Sequence, residues 1–542
     1  MVNNIKRLAV FLFILLSLLN INPGQLHAQL FNEESYKFSQ VLNWIDNYYV
    51  DSVNQNKLVQ DAIVSMMKDL DPHSSYMTPE EVKELTEPLQ GNFEGIGISF
   101  NIYNDTIYVI SPISGGPSEK VGLQAGDRII KVDGKDVAGI GITNKMVFDL
   151  LRGDKGTQVK VSVLRRGEKG LLDFTITRDK IPIYSLDAAY KIKDNIGYIR
   201  LNRFAQTTGK EFSDAMGKLK SEGVNDLILD LTGNGGGYLD EAVYLADQFL
   251  GKEKLIVYTQ GLHSPRRDYF ATSKGDFQDG KLIILIDEGT ASASEIVSGA
   301  VQDWDRGVIM GRRSFGKGLV QRPFPLQDGS MIRLTIAKYY TPTGRLIQKP
   351  YNHGLEAYEE DLINRYNHGE FLHKDSIHFP DSLKYRTLKE KRIVYGGGGI
   401  MPDIFVPLDT TSTTPYYRDL IRKGILNRFV IHYLDENRES IKAQYSDFDS
   451  FLKNFEITPD ILDQLSNFAE SEELEPNKEE LEQSANDIRM LTKAYIARDL
   501  WDTSSFYQIY NQTDKLVNKA VNVMENWNKY QQKILSDMVP DN

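Results

Sequence analysis

The chain has 542 residues, more than one ordinary domain holds at ~150 residues each. Its 41% hydrophobic and 25% charged content is that of globular protein, and a net charge of −12 argues against nucleic acid as the main partner, since phosphate binding needs a basic surface. The absence of cysteine excludes disulfide scaffolds, thiolate zinc sites, cysteine nucleophiles and Cys-anchored lipids.

Lys6 and Arg7 precede an apolar run from Leu8 to Leu19, which exits through Asn20, Pro23 and Gly24 to Leu26-His27-Ala28. A basic start, a short apolar core and a small exit residue read as a secretory signal peptide over 1–28. The alternative is an uncleaved anchor, but the run is shorter than the ~20 apolar residues a span needs. Contact with a membrane is therefore expected through this segment alone, if it stays uncleaved. The mature protein is expected outside the cytoplasm.

Residues 29–90 are predicted helical, with Phe38, Val41, Leu42, Ile45 and Tyr49 on one face and Leu58, Ala62, Ile63 and Met66 on another. From 91 to 180 the texture changes to short β-type runs at 106–110, 128–132 and 159–164, separated by glycine turns. From 181 to 410 strands alternate with helices. Strand 196–201 leads to a helix through Phe212, Met216 and Leu219; the buried run 227–231 leads through a glycine loop to a helix with Leu239, Ala242 and Ala246. Strand 282–286 leads to a helix through Ile296, Val297, Ala300 and Trp304, and such alternation means an α/β layer. The polar stretch 351–392 holds four of the eight histidines, but the five-residue spacing of His368, His373 and His378 rotates them off any common helical face, so no metal site is read there. Residues 411–542 are predicted helical, and Leu516, Ala520, Val523 and Trp527 form an apolar stripe read as packing surface.

Within 91–180, Gly95-Ile96-Gly97-Ile98 places flexible backbone just before a strand, a nest of N–H groups suited to a carboxylate, with an edge onto which a peptide can add. With Gly122-Leu123-Gln124-Ala125-Gly126-Asp127 and Val132-Asp133-Gly134, the module resembles a PDZ domain. The resemblance implies a C-terminal peptide with an apolar last residue as ligand. The plainer reading is a small β-domain with turn glycines.

Two stretches carry chemistry. Gly289-Thr290-Ala291-Ser292-Ala293-Ser294-Glu295 lies where a buried strand meets a helix, so a hydroxyl there sits at the helix's positive end beside unpaired N–H groups. Ser292 with Glu295 also fits a capping box, which needs no catalysis. Downstream, Lys317 stands among glycine and apolar residues in Ser314-Phe315-Gly316-Lys317-Gly318-Leu319-Val320-Gln321, a setting that favours a neutral amine able to deprotonate a serine. A solvated loop lysine is the competing reading. Gly311 to Lys317 also opens like a phosphate loop, but Gly318 stands where the magnesium-binding Ser or Thr belongs. A third element, Asp230-Leu231-Thr232-Gly233-Asn234-Gly235-Gly236-Gly237, follows a buried strand and can offer a second oxyanion donor.

Together with Leu70-Asp71-Pro72-His73-Ser74-Ser75-Tyr76, Tyr340-Thr341-Pro342-Thr343-Gly344 and Gly399-Ile400-Met401-Pro402-Asp403, these motifs resemble the carboxyl-terminal processing peptidases over about 36–410. The resemblance implies a multidomain α+β protein: a crotonase-like α/β protease domain, an inserted or preceding PDZ-like domain, and helical N- and C-terminal regions. It makes Ser292 the nucleophile, Lys317 the general base and Gln321, one helical turn on, the residue that orients the lysine. The N–H of Ala293 and of a glycine in the 235–237 loop, with Gly236 preferred, would form the oxyanion hole, although Thr232 and Gly235 depart from the usual arginine and proline. Ser294 and Ser298 are the rival hydroxyls, and only the resemblance, through the 25-residue spacing to Lys317 in the family pattern, selects Ser292. His73 is read as part of an Asp71-Pro72 turn rather than a triad. A lysine base implies an optimum on the alkaline side of neutral.

The expected activity is an exported, periplasmic serine endopeptidase acting at or near protein C-termini, with no metal or organic cofactor. Its expected partners are proteins or peptides with exposed C-termini, and an activating adaptor or a second copy of the chain. The alternatives are a catalytically silent PDZ adaptor and an exported esterase or amidase using the same dyad.

Overall fold

A computed structural model describes residues 33–410 and 413–536; the predicted signal segment 1–28 lies outside them. The chain divides into two compact units, one ending at Tyr76 and one beginning at Met77.

In the first unit, helix Glu33–Tyr48 carries Phe38, Val41, Leu42 and Ile45 of the first stripe, with Tyr49 just beyond its end, and helix Gln55–Lys68 carries the second. Asn54 starts the second by accepting the Lys57 N–H at 3.1 Å, which satisfies one donor orphaned at the helix start. Asp71 then accepts the N–H groups of His73 and Ser74, both at 2.9 Å, so His73 sits in an Asp-led turn as expected.

The second unit opens with helix Pro79–Gln90, where Thr78 and Glu81 form a reciprocal capping box. Strand Asn92–Gly95 pairs antiparallel with Asp179–Pro182, so the chain enters and leaves the next module side by side. That module is a sheet ordered Ile98–Tyr103, Thr106–Pro112, Arg128–Val132, Gln158–Leu164, Leu171–Thr177, accompanied by helix Asn144–Leu151. Val159, Val161 and Val163 alternate inward against Ile107, Val109 and Ile129, all buried.

Beyond the module lies a second sheet in the order Leu186–Lys193, Ile196–Leu201, Asp226–Asp230, Leu282–Ile286, Val308–Gly311, Ile404–Phe405. Its first pair is antiparallel and every later pair parallel. Strands covered on both faces need apolar residues at every position, which is why 282–286 shows no alternation. Leu282, Ile284 and Ile286 pack with Ile296, Val297 and Ala300 of helix Ala293–Asp303. Ile283 and Leu285 face the other way, onto Val517, Ala520 and Val523 of helix Lys515–Glu525. The C-terminal stripe is thus the lid of the sheet's second face.

An antiparallel sheet flanks this layer: Leu319–Pro325 pairs with Met331–Tyr340, which pairs with Leu255–Gly261, which pairs with Ser264–Phe270. The helical block after 413 has its own core, including Leu420, Phe429, Phe451, Leu465, Ile488 and Ala497. Among the described residues no helix is long and apolar enough to cross a membrane. The mixed helix-and-sheet architecture with a helical C-terminal region is the one the sequence leads to.

Candidate active site

The strand Leu282–Ile286 runs into a tight turn at 287–292 and then into helix Ala293–Asp303. Ser292 takes φ +56 and ψ −115, a conformation costly for a residue with a Cβ, by about 1–3 kcal/mol, and held only where surroundings over-determine it. They do so here. Ala291 N–H donates to Asn234 O at 3.0 Å, Thr290 Oγ1 to Leu231 O at 2.8 Å, and Ser292 N–H to Glu295 Oε2 at 2.8 Å. The Glu295 half of the anticipated capping box is therefore present, while Glu295 N–H bonds the Ser292 carbonyl at 2.9 Å.

The hydroxyls near this turn are not equivalent. Ser294 Oγ is buried and donates to Asn234 O at 2.9 Å; Ser298 Oγ is buried and donates to Ser294 O at 2.8 Å. Ser292 is half-buried.

The 314–318 loop is bound to the same carboxylate. Ser314 Oγ and Gly316 N–H donate to Glu295 Oε1, the latter at 2.8 Å, and Lys317 N–H donates to Oε2 at 2.9 Å. One carboxylate oxygen thus gathers the main-chain N–H groups of Ser292 and Lys317. On the carbonyl side, the Tyr339 hydroxyl reaches Ser292 O at 3.0 Å and also Lys317 O. Burial holds the Tyr339 phenol well above its usual range, so it stays a donor. Burial likewise pushes the Glu295 carboxyl up to about 7, opposed by the donors of Ser314, Lys317, Gly316 and Ser292.

The loop continues into a strand, and this corrects one expectation. Gln321 is on strand Leu319–Pro325 opposite Thr335, not one helical turn beyond Lys317; its amide donates to Thr335 Oγ1 at 3.4 Å. The phosphate-loop resemblance fails for the same reason, since no helix follows, and the Gly316, Lys317 and Gly318 N–H groups go to Glu295 and Gln348.

Ala293 opens its helix, so its N–H is one of the donors a helix leaves without an intrahelical partner. Gly236 approaches it closely. At φ +98, a Cβ on Gly236 would lie 2.8 Å from Ser292 Cβ, 2.8 Å from Ala291 O and 2.9 Å from Ala293 N. Its own N–H, however, is spent on Asn234 Oδ1 at 2.9 Å, so in this structure Gly236 meets the turn through its Cα rather than as a donor. Asn234, fully buried, is the hub here: its carbonyl holds Ala291 and Ser294, and its amide donates to Leu201 O at 2.9 Å.

In the β-module, Gly97 has φ +73, and a Cβ there would strike Ile181 Cδ1 at 2.8 Å. Ile96 is buried, with its carbonyl accepting Ser118 Oγ at 2.7 Å, and Gly95 ends the strand paired with Asp179. Ile98 begins a strand at the sheet's edge, beside which Phe148 of helix Asn144–Leu151 meets Phe100 edge-on at 5.8 Å. These four residues lie in a separate module from Ser292 and Lys317. Tyr339 and Asn234 were not singled out from sequence; Asn234 lies inside a recognised glycine loop, whereas nothing local marks Tyr339.

Comparison with known proteins now bears on this geometry. Residues 195–356 match the family model described as peptidase family S41, 95–176 the PDZ domain, 20–81 the N-terminal domain of the activating protease CtpB, and 416–502 a family of unknown function. The carboxy-terminal-processing protease of Bartonella bacilliformis is 39% identical over 317 residues, covering 58% of this chain and 72% of that one. The carboxy-terminal processing protease CtpA of Bacillus subtilis is 36% identical over 327 residues, covering 60% and 69%. Among solved structures, the photosystem II D1 C-terminal processing protease has 30% identity and a TM-score of 0.33, covering 58% of this chain and 90% of that one.

Proposed function

The chain belongs to peptidase family S41, the carboxy-terminal processing serine proteases, and from that premise we propose that it cuts exported proteins near their C-termini with Ser292 as nucleophile and Lys317 as base. The observation that carries the assignment is the shared anchoring of the two main chains, whose N–H groups meet on Glu295 Oε2 and whose carbonyls meet at the Tyr339 hydroxyl. The engagement of the Ser294 and Ser298 hydroxyls in buried hydrogen bonds supports the choice of Ser292.

In this reading the neutral Lys317 amine takes the Ser292 Oγ proton as Oγ attacks the scissile carbonyl carbon. Charge develops on the carbonyl oxygen, where Ala293 N–H and an N–H of the 235–237 loop stabilise it. The lysine proton passes to the leaving amine, the C–N bond breaks and an acyl-serine remains. Water, deprotonated by Lys317, then releases the new C-terminus and restores Ser292. Gln321 is assigned the orientation of the lysine.

The edge strand Ile98–Tyr103 suits addition of a substrate C-terminus, with its carboxylate at the Gly95–Ile98 turn. Export through residues 1–28 into the periplasm, and activation by an adaptor or a second copy, complete the proposal. The test is cleavage of β-casein, an unfolded protein, by the mature enzyme beside Ser292→Ala and Lys317→Ala. Both variants should be folded and slower by about ten thousand-fold. Undiminished cutting by Ser292→Ala would discard the nucleophile, silence of all three would favour a gated enzyme or adaptor, and turnover of short esters alone would favour an esterase.

A further inference from the structure

Arg200 is a charged residue in a strand otherwise buried, and taking a guanidinium out of water costs several kcal/mol unless its donors are matched. Its side chain is 17% exposed. Nε faces Asp187 Oδ2 at 3.6 Å, while the acceptors of the two Nη groups lie at the entry of the glycine loop. Nη1 donates to Asp230 Oδ2 at 2.5 Å and Thr232 Oγ1 at 2.7 Å, and Nη2 donates to Thr232 O at 2.9 Å. Asp230 Oδ1 in turn accepts the Thr232 N–H and hydroxyl, both at 2.8 Å. A counterion alone would have met the need for charge. The planar fork does more, because it fixes both polar groups of Thr232, two residues before Asn234, which holds Ala291, Ser294 and Gly236.

The opposite face of the guanidinium rests on the C-terminal block. Its carbon lies 4.9 Å from the ring centre of Tyr507 on helix Thr503–Tyr510. That helix is seated beside it, with Asn511 Nδ2 donating to Tyr190 OH at 2.8 Å and Tyr190 packed on Tyr198 at 5.3 Å. Tyr198 OH closes the circuit on Asp230 Oδ2 at 2.5 Å.

We propose that Arg200 is a positioning residue for acyl transfer, and that the C-terminal helical block sets it through the Tyr507 ring. The glycine loop then keeps its shape beside Ser292 because the helix beneath Arg200 is docked. The inference rests on the assignment of that loop to the oxyanion hole.

The test uses the full mature chain with Arg200→Lys, Tyr507→Leu and Tyr507→Phe, and two readouts. Hydrogen exchange follows the amides of Gly233, Asn234 and Gly236 against those of strand Leu282–Ile286, and steady-state kinetics use a fluorogenic peptide with an apolar C-terminus. Arg200→Lys and Tyr507→Leu should speed loop exchange about tenfold with the strand unchanged. They should lower kcat about tenfold or more with KM within about twofold, as expected when a group far from the chemistry shifts reacting atoms. Tyr507→Phe, which keeps the ring under the guanidinium and loses only the hydroxyl that faces Arg200, should return both readouts part of the way toward wild type. Unaltered loop exchange in Tyr507→Leu, or a raised KM at constant kcat, would overturn the proposal. Failure of the wild type to cut the peptide would count against the peptidase assignment of Ser292, while the exchange data still decide the role of Arg200.

Discussion

Replacing Glu295 by glutamine should disconnect Ser292 from Lys317 and at the same time remove a pH-dependent stability term. Each carboxylate oxygen of Glu295 serves two donors: Ser314 Oγ and Gly316 N–H on one, Ser292 and Lys317 N–H on the other. Glutamine keeps one acceptor, so two hydrogen bonds to a charge are lost, at about 1.5–3 kcal/mol each, and an NH2 group is turned toward donors. Against this, the substitution removes the burial of a charge. Folded Glu295 titrates at about 7 instead of 4.5, chiefly through burial, which corresponds to about 3 kcal/mol. The two effects offset in stability but not in geometry, so the expected loss is in turnover, about a hundredfold. Between pH 4.5 and about 7 the folded chain holds a proton on Glu295 that the unfolded chain has already released. The stabilisation is thus full below the unfolded value and lost as pH rises through the folded one. Urea unfolding of both proteins across pH 4.5 to 8, followed by circular dichroism, reads this directly. The wild type should lose about 3 kcal/mol relative to Glu295→Gln across that window. Parallel stability curves for the two proteins would refute the burial argument.

Gly236→Ala places a methyl group within 2.8 Å of Ser292 Cβ and Ala291 O at a left-handed φ, so the serine turn must move. Peptide turnover should fall about a hundredfold while circular dichroism stays native. Val523→Ala removes two buried methyl groups from the lid over Ile283 and Leu285, and urea unfolding should register a loss of about 1–3 kcal/mol with unchanged turnover chemistry.

The parts of the fold legible in sequence are those fixed by local pattern. Strands 128–132, 196–201 and 282–286 have in the structure the bounds their sequence predicts, because burial on one or both faces leaves an apolar signature. The Ser292 turn was legible because strand, glycine and helix start follow one another within a few residues. Gln321 shows the limit. Its distance from Lys317 fits a helical turn, but Leu319 and Val320 pair with Lys338 and Ala337, and pairing decides the conformation. Tyr339 is similar: nothing in its own neighbourhood marks it, and its hydroxyl gains partners only because its strand passes by both the Ser292 turn and the Lys317 loop. The stripe Leu516, Ala520, Val523 was visible, but what it covers was not, since the complementary face comes from strands far back in the chain.

The C-terminal block touches both ends of the machinery, and the two contacts differ in strength. Toward the β-module, Arg128 donates to Asp435 Oδ2 at 2.6 Å, and Ile431 packs with Tyr108 and Ile110. The ion pair is about a third exposed on the arginine side, and such pairs contribute about 0.2–1 kcal/mol. Toward the sheet, Val517, Ala520, Val523 and Met524 are all buried against Ile228, Ile283 and Leu285, where each full-sized apolar side chain contributes about 1.5–3 kcal/mol. The buried apolar contact of the block with the sheet is thus the larger of the two.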